Sequence, residues 1–447
     1  MLTERRPFRI VSTAVIALAI ACLVGSRPPV LAQQPAGAAH WVGTWATAVV
    51  GQPQGAPGGR GGQAAGGGRA GQNGRGRGGA PALTFTNRTL RQVVHTSIGG
   101  DRVRVVFSNA FGNAPLTIGA AHVAIRDKEA SVVRGSDRPL TFARRPSASI
   151  PPGAVLLSDP VDLTVPAFAD LAIDLYLPDD ASMAPRTMHS GARQTSYLST
   201  DGNHAGMAEF PVDTTVPSWF FLARVEVAAP PSTGTFVLFG DSITDGFNST
   251  PDTNNRWPDH FARRLRGPGG AVAAGVLNLG IDGNQVLNDG SGVSALARFD
   301  RDVLVQPGVT HVVVLEGIND LGARRDRRAT VEELILGHTQ LVERARARGL
   351  KIFGATLLPY EGTIFPGYYS EEGERVRQQF NEWMRTSKTY DAVIDFDMLM
   401  RDPSHPGRML PQYDSGDHLH PNDEGYGVMA NAVTLALFDV HETAAAR

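Results

Sequence analysis

Four short polar clusters hold the residues whose types and spacing could do chemistry. They are Gly240-Asp241-Ser242, the stretch NLGIDGN from Asn278 to Asn284, Gly317-Ile318-Asn319-Asp320, and SGDHLHPNDEGY, in which Asp417 and His420 stand three apart. A serine hydroxyl is a weak nucleophile until a base takes its proton, and neutral imidazole is the usual base. The imidazole in turn needs a carboxylate to fix its tautomer and to stabilise the imidazolium that forms. Ser242 as nucleophile, His420 as base and Asp417 as its orienting carboxylate meet these needs, since an Asp-x-x-His spacing lets the carboxylate fold back onto the ring. Acyl transfer also requires donors aimed at the developing oxyanion. The backbone N–H groups of Ser242 and Gly280 and the side-chain amide of Asn319 are the candidates. Taken singly each residue has a structural explanation: a turn for Gly-Asp-Ser, a tight bend for Gly280, helix caps for Asn319 and Asp417. Four such clusters in this order, each after an apolar run, favour catalysis. His418 competes with His420 for the base, but lacks the Asp-x-x-His spacing and the following proline.

Residues so far apart can meet only if the fold delivers them to one edge. From Thr233 onward, apolar runs alternate with helical patterns. The expected strands are TFVLFGD, GVLNLGI, HVVVLEG, KIFGATLLP and AVIDFD. One helix, TVEELILGHTQLVERARARG, opens with Thr330 and Glu333 as a capping box. Five strands alternating with helices predict a doubly wound α/β domain with a five-stranded parallel sheet over 233–447, its ligands binding at the carboxyl ends of the strands. The preceding stretch, 33–232, reads differently. HWVGTWATA, LRQVVHTSI, RVRVVFSNAF, AAHVAIRD, VDLTVPAFADLAIDLYLP and SWFFLARVEVA are rich in Val, Phe and Ile, and Gly-, Pro- and Asp-containing turns separate them. In DRVRVVFSN, Val103, Val105 and Phe107 alternate with Arg102, Arg104 and Val106, mostly the period-two pattern of a half-buried strand. This pattern predicts an all-β, sandwich-like domain.

Ser242 in Gly-Asp-Ser, Gly280, Asn319 in Gly-x-Asn-Asp and Asp417-x-x-His420 resemble the four blocks of the SGNH (GDSL-type) hydrolase superfamily, in order and context. The similarity spans about 233 to 440, with Ile243 where leucine is usual. It implies a flavodoxin-like, three-layer α/β/α fold and metal-free hydrolysis of esters through an acyl-enzyme, without a cofactor. The neighbourhoods LEGINDLG, PYEG and GDHLHPND look most like secreted two-domain members, many of them carbohydrate esterases or lipases, and the β-rich region fits that subgroup. The resulting expectation is an exported serine esterase that deacylates, and specifically deacetylates, a polysaccharide. A lipase or general carboxylesterase and a non-catalytic carbohydrate-binding protein are the alternatives. Asn284 and Tyr360 are candidate substrate contacts; Trp257, Phe365, Tyr368 and Tyr369 could line a pocket or pack in a core. Asp241 and Asp320 are expected to buttress loops. His95, His122, His189 and His204 lack metal-ligand spacing and read as structural or exposed.

The remaining features concern location. Residues 1–32 have a basic start, an apolar run from Ile10 to Gly25 and a Val30-Leu31-Ala32 cleavage site, the pattern of a secretory signal. Arg5-Arg6 leaves the export route open between the general and twin-arginine systems. Cys22, the only cysteine, lies inside the apolar run, so the 415 residues after Ala32 can form no disulfide. A lipid anchor on Cys22 is disfavoured, because no leucine stands three before it and apolar residues continue past it. The expected location is secreted or periplasmic, with no membrane span once the signal is gone. Removing 1–32 takes away four arginines and Glu4 and changes the net charge from −2 to −5. Such a chain has no electrostatic reason to seek nucleic acid. Residues 51–82, GQPQGAPGGRGGQAAGGGRAGQNGRGRGGAPA, have no large apolar side chain and are expected to be a disordered loop.

Overall fold

The computed structural model describes Met1 and residues 39–52, 83–182, 185–267, 272–322 and 327–438. Residues 2–38, which hold most of the expected signal and Cys22, and residues 53–82 of the Gly/Arg-rich stretch lie outside the described residues. Gly51 and Gln52, expected in that stretch, instead belong to a strand. Val50–Gln52 pairs antiparallel with Arg186–Ser190, and Val50 is buried in the core.

Two antiparallel sheets make up most of the β region. One runs His40–Ala46, Leu222–Ala229, Gly100–Ser108, Val161–Val165, with Val155–Leu157 also on Gly100–Ser108. The other runs Val212–Val216, Ser196–Asp201, Arg88–His95, Asp170–Leu177, Ala120–Ile125, Arg138–Leu140. Val103, Val105 and Phe107 point from the first sheet into the same core as Leu90, Val94, Leu171 and Ile173 from the second. The alternation in DRVRVVFSN is thus that of a sandwich strand with one face buried. On the opposite face Arg104 lies over the Trp41 ring, 4.3 Å from its centroid.

The second half carries five parallel strands: β1 (Gly234–Gly240), β2 (Ala274–Gly280), β3 (Val309–Leu315), β4 (Lys351–Ala355) and β5 (Ala392–Ile394). Their order is β2-β1-β3-β4-β5, which places the switch point of the doubly wound sheet at β1. The helices are α1 (Ser242–Asp245), α2 (Trp257–Arg266), α3 (Ala295–Phe299), α4 (Ile318–Gly322), α5 (Val331–Arg346), α6 (Glu371–Thr386), α7 (Phe396–Met400) and α8 (Asp423–Ala432). Strand parity sorts them into layers, because successive side chains leave opposite faces. Phe236 of β1 packs on Phe261 of α2, whereas Phe239 meets Phe299 of α3 on the other face. Trp257 of α2 touches Phe396 of α7, so that helix joins α2. Arg344 of α5 covers Phe299, and Phe380 of α6 packs on His338 of α5, which builds the opposite layer. Thr330 caps α5 with Glu333, as its sequence predicts.

The two halves share packing within one compact unit that begins at His40. Strand His40–Ala46 lies against β2, the edge strand of the parallel sheet. A Cβ on Gly275 would come within 1.9 Å of the Gly43 carbonyl oxygen. Ser97 Oγ accepts from Val276 N at 2.9 Å, so the β region covers an edge that would otherwise expose unpaired backbone groups. The change of architecture near Thr233 is therefore not a gap in packing. No helix among the described residues is long and apolar enough to cross a membrane.

Candidate active site

β1 ends at Gly240, and Asp241 N-caps the single turn of α1, its carboxylate accepting from Ile243 N at 2.9 Å. That cap sets Ser242 at the first helical position, above the carboxyl edge of the sheet. Ser242 Oγ lies 2.8 Å from His420 Nε2, across 178 residues of sequence. His420 Nδ1 is 2.7 Å from Asp417 Oδ2. Asp417 Oδ1 also accepts from Leu419 N and His420 N, at 3.0 and 2.8 Å. The three-residue spacing thus lets one carboxylate close its own turn and face the ring. Its Oδ2 can only accept, so Nδ1 carries the proton and Nε2 is left to accept from the serine hydroxyl. Burial works to raise the Asp417 pKa, but the hydrogen bonds and charge of His420 outweigh it and hold the carboxyl below the ordinary carboxylate range. Ser242, Asp417 and His420 are all buried. The competing histidine is turned away: His418 has φ 57°, its side chain is half exposed, and it bonds Asp414.

The candidate oxyanion donors do not stand alike. Asn319, on α4 after β3, has its Nδ2 buried without a partner, while its Oδ1 accepts from the Tyr368 hydroxyl at 2.7 Å. That bond fixes which way the amide points. Ser242 N lies at the start of a helix, where the first N–H groups have no intrahelical acceptor. Gly280 differs from expectation. Its N–H already donates to Asn278 Oδ1 at 3.0 Å, and a Cβ there would come within 2.2 Å of Asp245 N. Gly280 is needed so that α1 can sit on the end of β2, and its amide is not open to an oxyanion. Three residues on, Ile281 to Asn284 form a turn closed by Asn284 N to Ile281 O at 3.0 Å, with Gly283 at φ 72°. Glycine at that position is the type II signature, which turns the Gly283 N–H outward.

The two candidate substrate contacts also lie elsewhere. Asn284 is buried, donating to Val293 O and accepting from Arg298 Nε, so its polar atoms hold the loop. Tyr360 is wholly buried in the core, edge-on to Tyr368 and Tyr369. Asp320 accepts from Val286 N and Leu287 N, tying the end of β3 to the loop after β2. Asp241 and Asp320 thus hold loops, as expected. The side chains at the mouth are Phe247, whose ring is 4.4 Å from the His420 ring, and Phe365, at 6.2 Å and more than a third exposed.

Sequence reasoning passed over three supports. Asn248 donates to Asp417 Oδ2 at 2.9 Å, and only its place six residues after Ser242 marks it. Arg298, fully buried, donates to Gly240 O, Leu279 O, Asn284 and Asp302 and approaches Glu316 at 3.5 Å, knitting the ends of β1, β2 and β3 together. Burial and the neighbouring Asp241 push Glu316 well above its ordinary value, against the pull of Arg298. Asp241 rises to about 7, mainly through burial. His189 reaches in from the β region, with Nε2 3.0 Å from Asp245 Oδ1 and Nδ1 2.9 Å from Ala48 O. Burial lowers its pKa, but Asp245 more than offsets this and the net shift is upward. Two acceptors on one ring require an imidazolium beneath the turn that carries Ser242. The other three histidines bond Asp170, Asp137 and the Asp201 carbonyl, in keeping with structural roles.

Residues 238–428 match the model of the GDSL-like Lipase/Acylhydrolase family. No curated protein matches the chain. Three similar solved structures are a GDSL-like lipase from Bacteroides thetaiotaomicron (19% identity, 46% of this chain, 88% of that one, TM-score 0.36), a carbohydrate acetylesterase from Sinorhizobium meliloti (16%, 45%, 96%, 0.36) and an aryl esterase from M. smegmatis (15%, 46%, 99%, 0.37). With the parallel sheet and its carboxyl-edge cluster in place, residues 238–428 form a GDSL-like lipase/acylhydrolase domain of the SGNH hydrolase superfamily, and the protein is a hydrolase of ester bonds.

Proposed function

We propose that the protein is an exported serine esterase that removes short acyl groups, acetyl foremost, from a polysaccharide, with Ser242, His420 and Asp417 as its catalytic residues. The observation that carries the mechanism is the unbroken path from Asp417 through His420 to Ser242 Oγ, at 2.7 and 2.8 Å, together with an Asn319 Nδ2 that has no protein partner. Ser242 Oγ attacks the ester carbonyl carbon while His420 Nε2 takes its proton. The carbonyl oxygen becomes an oxyanion held by Asn319 Nδ2, Ser242 N and, in place of Gly280, Gly283 N. Collapse breaks the bond to the alcohol, which leaves with the proton from Nε2. Water then repeats the sequence on the acyl-enzyme and releases the carboxylic acid. Asp417, ionised because its pKa is held down, stabilises the imidazolium in both halves.

Support for a glycan alcohol comes from Phe365, more than a third exposed beside His420, an aromatic surface on which a sugar ring can stack. The exposed Ile364 next to Phe365 favours, as a second reading, a more apolar ester. Aryl esters of increasing acyl length, run beside acetylated xylan and pectin, separate the two. Acetate release from the polymers and a falling rate beyond short acyl chains support deacetylation, and the reverse order supports a lipase. For the nucleophile, Ser242→Ala should lose about 10³-fold or more in kcat while keeping its fold. A serine-directed phosphonate should label Ser242 alone; normal turnover by the alanine variant would remove Ser242 from the mechanism.

A further inference from the structure

We propose that Arg193, supplied by the β region, binds a carboxylate on the alcohol part of the ester, so that the preferred substrates are acylated glycans containing uronate residues. This rests on the ester-hydrolase reading at Ser242 and extends it to the substrate. Arg193 lies between strands Arg186–Ser190 and Ser196–Asp201, on a loop docked against the segment that follows α1. Asp252 N donates to Arg193 O at 3.0 Å. The Asp252 carboxylate accepts from Gln194 Nε2, Thr195 N and Thr195 Oγ1. Arg256 bonds the Ala192 carbonyl. These contacts hold Arg193 at φ 50°, a conformation rarely adopted by a side chain of its size.

The side chain so placed is uncompensated. Its guanidinium carbon sits 4.6 Å from the centre of the Phe247 ring, whose own centre is 4.4 Å from that of His420. Its Nε is buried without a hydrogen-bond partner, and it forms no ion pair among the described residues. Other arginines are spent otherwise: Arg91 is locked to Asp174 and Arg298 to the strand ends. Asp282, which feels the Arg193 charge, makes no ion pair with it. A guanidinium stacked on one face by an aromatic ring and otherwise unpartnered is suited to a planar carboxylate. Its position says which part of the substrate it meets. His420 protonates the departing alcohol, so the alcohol lies on the His420 side of the scissile bond. Arg193 adjoins Phe247, which in turn adjoins the His420 ring, whereas Asn319 and Tyr368 belong to the oxyanion. A carboxylate on the acylated sugar or its neighbour can therefore reach Arg193 while the acyl group occupies the serine.

The experiment compares one polymer with its charge present and masked. Acetate release is measured on acetylated homogalacturonan with free carboxylates and on the same polymer fully methyl-esterified, with an aryl acetate alongside. The wild-type kcat/KM ratio of free over methylated polymer should be about tenfold or more, the scale of one charge-assisted contact, and should fall as NaCl rises from about 0.02 to 0.5 M. Arg193→Gln should bring the ratio to within about twofold of one, and Arg193→Lys should keep much of it, since the charge remains. Because both polymers use the same site, a folding defect lowers both rates and leaves the ratio alone. A wild-type ratio near one, a ratio unchanged in Arg193→Gln, or no acetate from either polymer while aryl acetate turns over would overturn the proposal. Failure on aryl acetate as well would instead remove the reading at Ser242.

Discussion

Replacing Tyr368 by phenylalanine removes one oxygen and leaves every reacting group in place. In the native site that hydroxyl donates to Asn319 Oδ1 at 2.7 Å, and Asn319 Nδ2 is left buried and unpartnered, facing no protein acceptor. The amide is a two-ended group. Turned one way it presents N–H to the oxyanion; turned the other way it presents oxygen and repels it. The Tyr368 hydroxyl favours the first orientation by donating to Oδ1; in the second it could only accept from the amide N–H, and its own proton would lose its acceptor. Deleting it also strands a buried carbonyl oxygen, worth about 1–3 kcal/mol. About 1.4 kcal/mol of that loss appearing in the transition state gives roughly tenfold in kcat with KM little changed. Asn319→Ala sets the limit, at about 10²- to 10³-fold, the scale for one oxyanion donor. The ring itself should stay put, since Gly322 leaves it room: a Cβ at 322 would lie 2.1 Å from it. Steady-state kinetics on an aryl acetate for both single variants and the double variant make the test. If Tyr368 acts through Asn319, the double variant falls no further than Asn319→Ala. A wild-type kcat in Tyr368→Phe, or losses that simply multiply, would refute it.

Other outcomes follow from the same geometry. His420→Ala should remove most of the rate, Asp417→Asn should reduce it with the fold intact, and His418→Ala should do neither. If His418→Ala is the inactive variant, the base has been misassigned. Asp241 titrates in the opposite sense to a salt-bridged acid: with its folded value near 7 and an unfolded value of 3.8, the folded state holds the extra proton between them, so stability falls as pH rises through that window. Asp241→Asn should therefore raise Tm at pH 8 and shrink the difference between pH 5 and pH 8, by roughly 1–4 kcal/mol, while Glu316 keeps a residual slope; an unchanged pH profile of Tm would contradict this. Gly280→Ala should destabilise by about 1–3 kcal/mol through its clash with the α1 backbone, measurable as a lower denaturation midpoint, and a variant as stable as wild type would show that α1 can yield.

The parts of the site that could be read in the chain are those carried by periodic elements. β1 and β3 are unbroken apolar runs, and each stops on its polar cluster, so Ser242 and Asn319 announce themselves as strand-end residues. Asp417 and His420 are legible because a local turn brings them together. The contacts that escaped notice act across loops, where no period exists to read. Tyr368 meets Asn319 over 49 residues, and Asn248 meets Asp417 over 169. Gly280 was misassigned because its amide is claimed by Asn278, a side chain on the same strand whose direction the sequence does not give. The β region was legible strand by strand from its alternation. Its docking on the catalytic sheet was not, since contacts such as Ser97 with Val276 or His189 with Asp245 leave no local pattern.

The His189–Asp245 pair makes the two halves interdependent in a way that catalogues of modules would miss. Chain from Thr233 onward contains Ser242, Asn319, Asp417 and His420, yet it lacks the cation that neutralises Asp245 one turn below Ser242. Such a fragment would hold a buried carboxylate with its partner removed, and β2 would become an open edge. The β region is thus closer to a missing layer of the enzyme's core than to an appendage. Since strand His40–Ala46 pairs with Leu222–Ala229, that layer itself closes only after some 180 residues have been made. Any exchange of sequence at the apparent boundary near Thr233 would separate His189 from Asp245 and take away the strand that covers β2.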